Sequence, residues 1–377
     1  MTYKDNKYVC VSLYSTELFI KMKIDLPYKN IRKVLIRGVN WIGDTIITLP
    51  TIKGIREVFP RVHLAVLVRP HLSSLFERCD FVDEIIYYPE GIGFDLILKE
   101  RGLVKEISQK QFNLVVIFPR SFRSALIPYL ARITFRMGYS ACKRGILLTH
   151  GVEESKELLA CHQVEYYYHI ARSLGATHMW ESPNLSVGRE ENEWALEFLK
   201  NAGIDESHLL IGINPGSTYG TAKCWFIERY LELTRRLIRH LHAKIILVGG
   251  KDNVSLVNHI ASNLDGQIIK VVGKDILQLA ALLKRCHLFI SNDTGPMHVA
   301  AAVGTPVVAI FGSTNPVSTS PLGRGHRIIR KEVSCSPCLK RDCPEDRRCM
   351  GLISVDEVEK VVMEQLNISS VEEERNS

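Results

Sequence analysis

Short runs of consecutive apolar residues alternate, in the first half of the chain, with a stretch whose apolar positions recur every three or four residues. The runs are residues 31–37, 63–68 and 114–118, and the periodic stretch is residues 45–58. Unbroken apolar runs predict strands buried on both faces, whereas the 3.6-residue spacing predicts a helix. The pattern therefore predicts a parallel sheet with helices on both sides.

The same alternation returns in the second half of the chain. Residues 209–214 and 244–248 are apolar runs, and an amphipathic stretch at 226–240 separates them. Later apolar runs predict further strands at residues 268–272, 288–290 and 307–311. Two more periodic stretches predict helices, at residues 190–201 and 355–366.

Two successive alternations of this kind predict an α/β protein with two Rossmann-like domains side by side. We expect an N-terminal domain at residues 31–183 and a C-terminal domain at residues 184–354, joined near Pro183. Residues 1–30 are typical of a poorly structured leader, in which Met22 is an alternative start. Residues 355–377 are expected to form a terminal helix and a tail.

The composition is that of a globular chain. Of the 377 residues, 46% are apolar and 24% are charged, which excludes a disordered or collagenous protein. No stretch reaches the roughly 18 uninterrupted apolar residues of a membrane span. The first residues lack the apolar segment of an export signal, so we expect a cytoplasmic protein with reduced thiols.

The excess positive charge lies entirely in the first half of the chain. Residues 1–183 carry 25 Lys and Arg against 18 Asp and Glu, whereas residues 184–377 carry 23 of each. This asymmetry favours an anionic partner for the first half, such as an acidic substrate, a charged membrane surface or nucleic acid. Basic residues scattered over a solvated surface are the alternative.

Candidate chemistry lies where predicted strands end. Two Rossmann-like domains usually bind a ligand in the cleft that faces the carboxyl ends of their strands. The motif Trp41-Ile-Gly43-Asp44 directly follows the first strand. Asp44 has two interpretations, since an aspartate here either caps the next helix or accepts a proton from an attacking hydroxyl.

A second motif, at residues 214–225, has the composition of a phosphate-binding turn. It contains Ser217, Thr218 and Lys223 together with two glycines, after a strand and before a helix. It matches neither the P-loop nor the dinucleotide fingerprint. Both a phosphate cradle and an ordinary loop remain open on the sequence alone.

A third motif is Ser291-Asn-Asp293-Thr294-Gly295-Pro296-Met-His298. Thr294 suits a helix cap and Pro296 the first helical turn. The amides beyond Thr294 would then face a diphosphate, with His298 one turn inside. A capped structural helix explains Thr294 and Pro296 equally well, but it leaves Asp293 and His298 without a reason.

Four cysteines lie within fifteen residues near the end of the chain, Cys335, Cys338, Cys343 and Cys349. They are candidate ligands of a structural zinc ion or an iron–sulfur cluster. Their spacing is looser than that of two CxxC pairs, so free cysteines are the alternative. No Asp-x-Asp motif occurs, and we therefore expect no metal ion in catalysis.

Together, the three strand-end motifs resemble those of the ADP-heptose:lipopolysaccharide heptosyltransferases, glycosyltransferase family 9. The resemblance runs from about Ile31 to Val362, and the form Pro-Gly-x3-Gly-x-Ala-Lys-x-Trp is most similar to the heptosyltransferase II branch. Cys224 departs from it, because a basic residue is common before that tryptophan. The resemblance implies a GT-B fold with a central cleft, the acceptor domain first and the nucleotide-sugar domain second.

The resemblance also implies an activity and its partners. It implies an inverting, metal-independent transfer of heptose from ADP-heptose to the inner core of lipopolysaccharide, as heptose II onto heptose I. The acceptor would be an anionic conjugate of lipid A, Kdo and heptose, reached by an enzyme peripheral to the inner membrane. No cofactor and no nucleic acid are required.

The implied roles fall on residues of these motifs. Asp44 is the expected general base, and Lys223, with Ser217 and Thr218, is expected to stabilise the departing diphosphate. Other expected donor contacts are Asp252, Asp293, Thr294, Gly295 and His298. The candidate acceptor contacts are Arg120, Arg123, Arg136 and Arg144.

Two rival functions remain open on the sequence. A family member that uses another sugar nucleotide or acceptor would carry the same motifs. A zinc-containing nucleic-acid-binding protein would explain the basic first half and the cysteines, but it would leave Asp44 and Lys223 without a role.

Overall fold

The computed structural model describes residues 2–3, 25–179, 183–264 and 268–367. Met22, most of the predicted leader and the tail after residue 367 lie outside the described residues. Contacts divide the described residues into two compact units: the first runs from residue 25 to Pro183, and the second from Asn184 onwards, together with Thr2 and Tyr3. Each unit contains one sheet.

The described residues contain thirteen strands. They are β1 (Thr2–Tyr3), β2 (Lys33–Arg37), β3 (His63–Val68), β4 (Glu84–Tyr87), β5 (Leu114–Ile117), β6 (Phe135–Tyr139), β7 (His150–Val152), β8 (Leu210–Asn214), β9 (Lys244–Gly249), β10 (Ile268–Val272), β11 (Leu288–Asn292), β12 (Val307–Phe311) and β13 (Arg327–Arg330).

Helices connect most of these strands. The α-helices of the described residues are α1 (Ile42–Val58), α2 (Ser74–Glu77), α3 (Gly93–Lys110), α4 (Phe122–Leu130), α5 (Lys156–Ala160), α6 (Gln163–Ser173), α7 (Arg189–Asn201), α8 (Ile227–Leu241), α9 (Val254–Ser262), α10 (Ile276–Lys284), α11 (Gly295–Ala302), α12 (Pro316–Thr319), α13 (Arg348–Gly351) and α14 (Val355–Gln365).

The first unit is built on a six-stranded parallel sheet with the order β4-β3-β2-β5-β6-β7. Its central strands β2, β3 and β5 are buried except for Lys33 and His63 at the starts of β2 and β3, as their mainly apolar sequence predicts. Helices α1 and α6 pack against each other. Gly54, in the middle of α1, allows this close approach, because a Cβ atom there would lie 2.8 Å from the ring of Tyr168.

The described end of the predicted leader belongs to this first unit. Leu26 is buried, and the ring of Tyr28 stacks on Phe59 with centroids 5.6 Å apart. The Tyr28 hydroxyl donates to the Leu174 carbonyl at 3.1 Å. The packed part of the first unit therefore begins before Ile31. The sequence prediction missed this because Leu26 and Tyr28 lie outside the apolar run that begins at Ile31.

The second unit is built on a seven-stranded sheet with the order β1-β13-β12-β11-β8-β9-β10. All neighbouring strands are parallel except β1, which pairs antiparallel with β13. Helix α14 packs on α8, β12 and β13, and its residues Val358 and Val362 are part of the core. The terminal helix is thus integrated into the second sheet's own core.

The prediction of an α/β protein with two Rossmann-like sheets is confirmed. β3, β10 and β12 have the predicted bounds, whereas α1 begins at Ile42, three residues earlier than expected. The N-cap of α1 is Trp41. Asp44 is therefore the third residue of the helix, and its interpretation as the N-cap is wrong.

Candidate active site

The second unit brings two of the predicted motifs together, because β8 and β11 are neighbouring parallel strands whose carboxyl ends meet. Each strand ends in a buried asparagine, Asn214 or Asn292. The Asn214 side-chain amide donates to Thr294 Oγ1 at 2.8 Å and to Ser291 Oγ at 3.3 Å. The bond to Thr294 joins the end of β8 to the start of α11.

Asn292, at the end of the neighbouring strand β11, fixes the shape of the glycine-containing turn that follows β8. Its amide donates to the Pro215 carbonyl at 3.0 Å. Its side-chain oxygen Oδ1 accepts from the Trp225 backbone N–H at 3.1 Å and from the Tyr230 hydroxyl at 2.9 Å. Burial raises the pKa of Tyr230 well above its usual value, so the hydroxyl remains a neutral donor.

Lys223 and Asp293 form an ion pair at this edge of the sheet. Lys223 Nζ lies 2.9 Å from Asp293 Oδ2 and 3.2 Å from the Asp293 carbonyl. Asp293 is only 4% exposed, and Thr319 also donates to Oδ2, at 3.2 Å. Lys223 is less buried, and its ammonium lies 5.2 Å from the centroid of the Tyr219 ring. The pair orients a cation at a partly open position.

The N-terminus of α11 is next to this pair. Thr294 occupies the N-cap position, but its side chain makes no capping hydrogen bond. Its hydroxyl instead accepts from Asn214, so it does not satisfy the helix amides. Gly295 is half-buried and begins the helix, and His298 is buried one turn further on. The predicted helix start is confirmed, but Thr294 does not act as a side-chain cap.

The other predicted donor residues lie on the neighbouring turns. Ser217 is half-buried, and its Oγ accepts from the Tyr219 N–H at 3.2 Å, whereas Thr218 is exposed. Asp252 is exposed in a short 3-10 turn that follows β9. A Cβ atom on Gly216 would lie 2.6 Å from the Asn253 side chain. The turn after β9 thus contacts the motif that follows β8.

The cysteine-containing segment docks on the turn between β8 and α8. Thr221 donates from its N–H and its hydroxyl to Asp342 Oδ1, at 3.2 and 2.8 Å. The Ala222 N–H donates to the Arg341 carbonyl at 2.9 Å, and Arg341 Nε donates to the Tyr219 carbonyl at 2.7 Å. Residues 341 and 342 therefore hold the turn that carries Lys223.

Gly220 is needed for this docking. Its φ of +150° disfavours other residues, and a Cβ atom would lie 2.3 Å from the Arg341 carbonyl oxygen. We expect Gly220→Ala to displace the turn and to weaken ADP binding by about tenfold or more, because a backbone atom cannot yield to the new methyl group. Isothermal titration of ADP would measure the loss.

Gly304→Ala is the matched control for Gly220→Ala. Gly304 also has a positive φ, +85°, but no atom lies within 4 Å of the position of its Cβ. This variant carries backbone strain without displacing the turn. Equal ADP affinities for the two variants would contradict the role given to the docking contact.

The four clustered cysteines lie in the same docked segment. Cys349 is buried, and its pKa is raised by burial and by the nearby thiols of Cys335, Cys338 and Cys343. None of these four cysteines is in a disulfide. Within the described ranges, no group of three or more His, Cys, Asp or Glu side chains has an arrangement that could hold a metal ion.

Asp44 lies in the first unit, in the first turn of α1 directly after the carboxyl end of β2. It is half-buried. The Tyr167 hydroxyl is close enough to feel its charge, and burial together with that charge raises the pKa of Tyr167. The phenol of Tyr167 is thus neutral beside the carboxylate, which lies in the first turn of α1, where a helix N-terminus interacts favourably with an anion.

The four predicted acceptor arginines have different environments. Arg120 and Arg123 are about half exposed and pair with Glu154 and Glu100, each at 2.7 Å. Arg136 donates to the Leu147 carbonyl at 2.7 Å and to the Ile133 carbonyl at 2.5 Å.

Arg144 is completely buried, and burial lowers its pKa. It donates to the Tyr139 carbonyl at 2.7 Å, to Ser124 Oγ at 3.1 Å and to the Pro119 carbonyl. Arg136 and Arg144 therefore use their guanidinium groups to bind the protein's own oxygen atoms.

Several site residues were not assigned roles from the sequence. Asn214 and Asn292 shape the turn, Tyr230 supports Asn292, and Thr319 binds Asp293. A signal for the two asparagines is present in the sequence, since each is a polar residue that ends an otherwise apolar run. Thr319 has no such signal, because its partner lies 26 residues away.

Comparisons with known proteins identify the family to which the sequence is similar. Residues 101–348 match the sequence model of glycosyltransferase family 9 (heptosyltransferase), well over half of the chain. Lipopolysaccharide heptosyltransferase 2 of Escherichia coli is 28% identical over 356 residues, which cover 91% of this chain and 99% of that protein.

Two solved structures share the fold. The structure of E. coli ADP-heptose LPS heptosyltransferase II superposes with a TM-score of 0.76 and 25% identity, covering 89% of this chain and 98% of that one. A glycosyltransferase family 9 protein from Veillonella parvula superposes with a TM-score of 0.82 and 24% identity, covering 92% and 99%.

Proposed function

The chain belongs to glycosyltransferase family 9, the heptosyltransferases, and from this premise we propose that it transfers heptose from ADP-heptose to the inner core of lipopolysaccharide. The reaction that best fits the motifs is the addition of heptose II to heptose I. The Lys223–Asp293 pair, beside the open N-terminus of α11, is the observation that carries this proposal.

The donor is an anion, and the second unit offers a cation and a helix terminus to match it. Lys223 contacts the diphosphate, with Ser217 and Thr218 on the same turn. The amides at Thr294 and Gly295 add the partial positive charge of a helix N-terminus. Asp293 orients Lys223, while His298 and Asp252 are further donor contacts, the latter towards the adenosine.

The same groups stabilise the leaving group. As the C1–O bond to the diphosphate breaks, negative charge builds on the departing ADP, and a fixed ammonium and helix amides lower the energy of that charge. These groups do the work that a metal ion does in other transferases, so the proposed reaction is metal-independent. Chelation with EDTA is expected to leave the activity unchanged.

Asp44 supplies the base of the reaction. Its carboxylate takes the proton from the acceptor hydroxyl while that oxygen attacks C1 from the face opposite the diphosphate. One C–O bond forms as the other breaks, and the configuration at C1 inverts. Asp44 ends the step protonated and returns its proton to solvent.

The acceptor is an anionic conjugate of lipid A, Kdo and heptose, and the basic first half of the chain is its expected binding region. Arg120 and Arg123, which are half exposed, are the proposed contacts among the four arginines. None of the helices in the described part of the chain is long and apolar enough to cross a membrane. We place the enzyme at the cytoplasmic face of the inner membrane, where this lipid acceptor is presented.

In this proposal the clustered cysteines belong to the segment that holds the turn carrying Lys223. A zinc ion or an iron–sulfur cluster would need three or four of these thiols as ligands, an arrangement not found among the described residues. No reaction step is assigned to such a group. Elemental analysis of the purified protein decides whether one is bound.

The decisive experiment is a transfer assay on the purified full-length chain. ADP-heptose and a heptose I acceptor, with EDTA present, are expected to give ADP and a product heavier by one heptose in mass spectrometry. Transfer from a different sugar nucleotide would identify a family member with another donor. Salt-sensitive nucleic-acid binding without ADP binding would overturn the proposal.

A further inference from the structure

A polar cavity lies in the first unit, next to the turn that leads from β2 to Asp44, and the candidate acceptor residue Arg123 is part of its lining. It has a volume of about 180 Å³ and spans the carboxyl ends of four neighbouring strands, β4, β3, β2 and β5. Arg37, the last residue of β2, and Arg69, the first residue after β3, line it. The carboxyl edge of a parallel sheet is where α/β proteins bind ligands.

Arg37 is unusual because it is a buried arginine at the end of a central strand. It is only 4% exposed. Its Nη1 donates to the Gly38 carbonyl, and its Nη2 lies 3.4 Å from Asn40 Oδ1. Its guanidinium carbon lies 4.3 Å from the centroid of the Tyr88 ring. The Nε atom is buried and has no hydrogen-bond partner.

Arg69 adds a second cation to the same cavity. Its Nε atom is also buried without a hydrogen-bond partner. Burial, and then the charge of Arg69, lower the pKa of Arg37 to about 10. Tyr88 and Glu100 offset part of this effect, but two cations that line one cavity and each keep a buried donor without a partner favour the binding of an anion.

Among the described residues, Glu100 is a carboxylate whose charge reaches Arg37, but it is already bound by other groups. Glu100 is bound by Arg123, with nitrogen–oxygen distances of 2.9 and 2.7 Å, and by the Tyr88 hydroxyl. Glu90 lines the rim of the cavity, where it is exposed and lies 3.6 Å from His71. Among the ion pairs of the described chain, none includes Arg37 or Arg69.

We propose that Arg37 and Arg69 form a binding site for a phosphate or carboxylate group, which, if the proposed function is correct, is carried by the anionic acceptor. The planar guanidinium forks present paired N–H donors that match the oxygen atoms of both groups. Asn40 and Ser121 add polar groups to the wall. The cavity is large enough for about six water molecules, and so for such a group with part of the sugar that carries it.

The cavity is on the same edge of the sheet as the proposed base. Asp44, the third residue of α1, follows Arg37 by seven residues, and Asn40 lies between them on the connecting turn. An acceptor anchored by its anionic group in this cavity would hold a neighbouring hydroxyl near the Asp44 carboxylate. Arg37 and Arg69 are thus positioning residues for the acceptor and take no part in donor binding.

The test compares two charge-removing variants of the full-length protein. Arg69→Gln removes a cation from the cavity, while Arg101→Gln removes one from an exposed position of α3 outside it. Titration with inorganic phosphate is expected to show binding to the wild type and to Arg101→Gln, and binding weakened by about 10- to 100-fold in Arg69→Gln. Equal phosphate binding by all three proteins would overturn the proposal.

The kinetic readout separates positioning from a general loss of structure. Arg69→Gln is expected to raise the KM for the acceptor about tenfold or more, with kcat and the ADP affinity within twofold of wild type. Arg69→Lys keeps the charge but loses the planar pair of N–H donors. Its KM for the acceptor is expected to lie between that of the wild type and that of Arg69→Gln. A fall in kcat and ADP affinity without a change in acceptor KM would contradict the site.

Acceptor derivatives identify the group that is bound. The effect of Arg69→Gln on KM is expected to vanish with an acceptor stripped of phosphate, if phosphate is bound, or with one whose carboxylates are esterified, if carboxylate is bound. An effect that survives both changes would overturn the proposal. If the wild type binds phosphate through Arg69 but transfers no heptose, the proposed function falls and the anion site stands.

Discussion

Asp44→Asn is expected to lower kcat by about 10²- to 10⁴-fold, the range over which a positioned general base accelerates proton transfer. The amide keeps the size of the side chain but cannot take the proton of the acceptor hydroxyl. ADP binding is expected to remain at the wild-type level, because the proposed donor contacts all lie in the second unit. Steady-state kinetics with saturating acceptor, together with ADP titration, measure both quantities.

Asp95→Asn is the matched control for the Asp44 variant. Asp95 is the third residue of α3, just as Asp44 is the third residue of α1, so both carboxylates face a helix N-terminus. Losing that interaction costs about 0.3–1 kcal/mol in either helix. A folded Asp44→Asn protein with the turnover of Asp95→Asn would remove Asp44 from the mechanism.

Lys223→Met is expected to lower kcat/KM by about 10²- to 10³-fold, as for other single groups that stabilise charge in a transition state. ADP affinity falls with it, because the diphosphate loses its cation. The variant also leaves the Asp293 carboxylate, which is 4% exposed, with Thr319 as its remaining hydrogen-bond partner among the described residues. Breaking a buried pair in this way costs about 3 kcal/mol of folding stability.

The double variant Lys223→Met/Asp293→Asn separates catalysis from stability. Removing both charges is expected to restore most of the free energy of unfolding lost in Lys223→Met, while kcat/KM stays low. Denaturant unfolding and initial rates on the three proteins measure the two effects. Activity that recovers together with stability would mean that Lys223 acts only through the fold.

The parts of the fold that the sequence predicted well are those with strong apolar runs. β3, β10 and β12 have the expected bounds because each consists of apolar residues, apart from His63 in β3 and Lys270 in β10. Short strands such as β4 and β7 escaped prediction, since they have only four and three residues and carry polar side chains. Local sequence cannot reveal pairing at the edge of a sheet.

The candidate site divides in the same way. Asp44, Lys223 and Asp293 were found from motifs, because each follows a recognisable strand. The Lys223–Asp293 contact itself joins residues 70 positions apart, and the burial of Arg37 and Arg144 depends on packing from several strands. Charge and composition predicted an anionic partner for the first half, but they could not show which arginines are buried.

The turn that carries Lys223 is completed only by residues that follow it by about 120 positions, at Arg341 and Asp342. The ribosome synthesises the whole of β8 to β12, including every side chain of the proposed donor site, before it synthesises Arg341 and Asp342. A nascent chain at that stage, or a fragment cut ahead of residue 341, has the chemistry of the donor site without its final shape. Binding of the proposed nucleotide-sugar donor is therefore expected to be among the last abilities that the growing chain acquires.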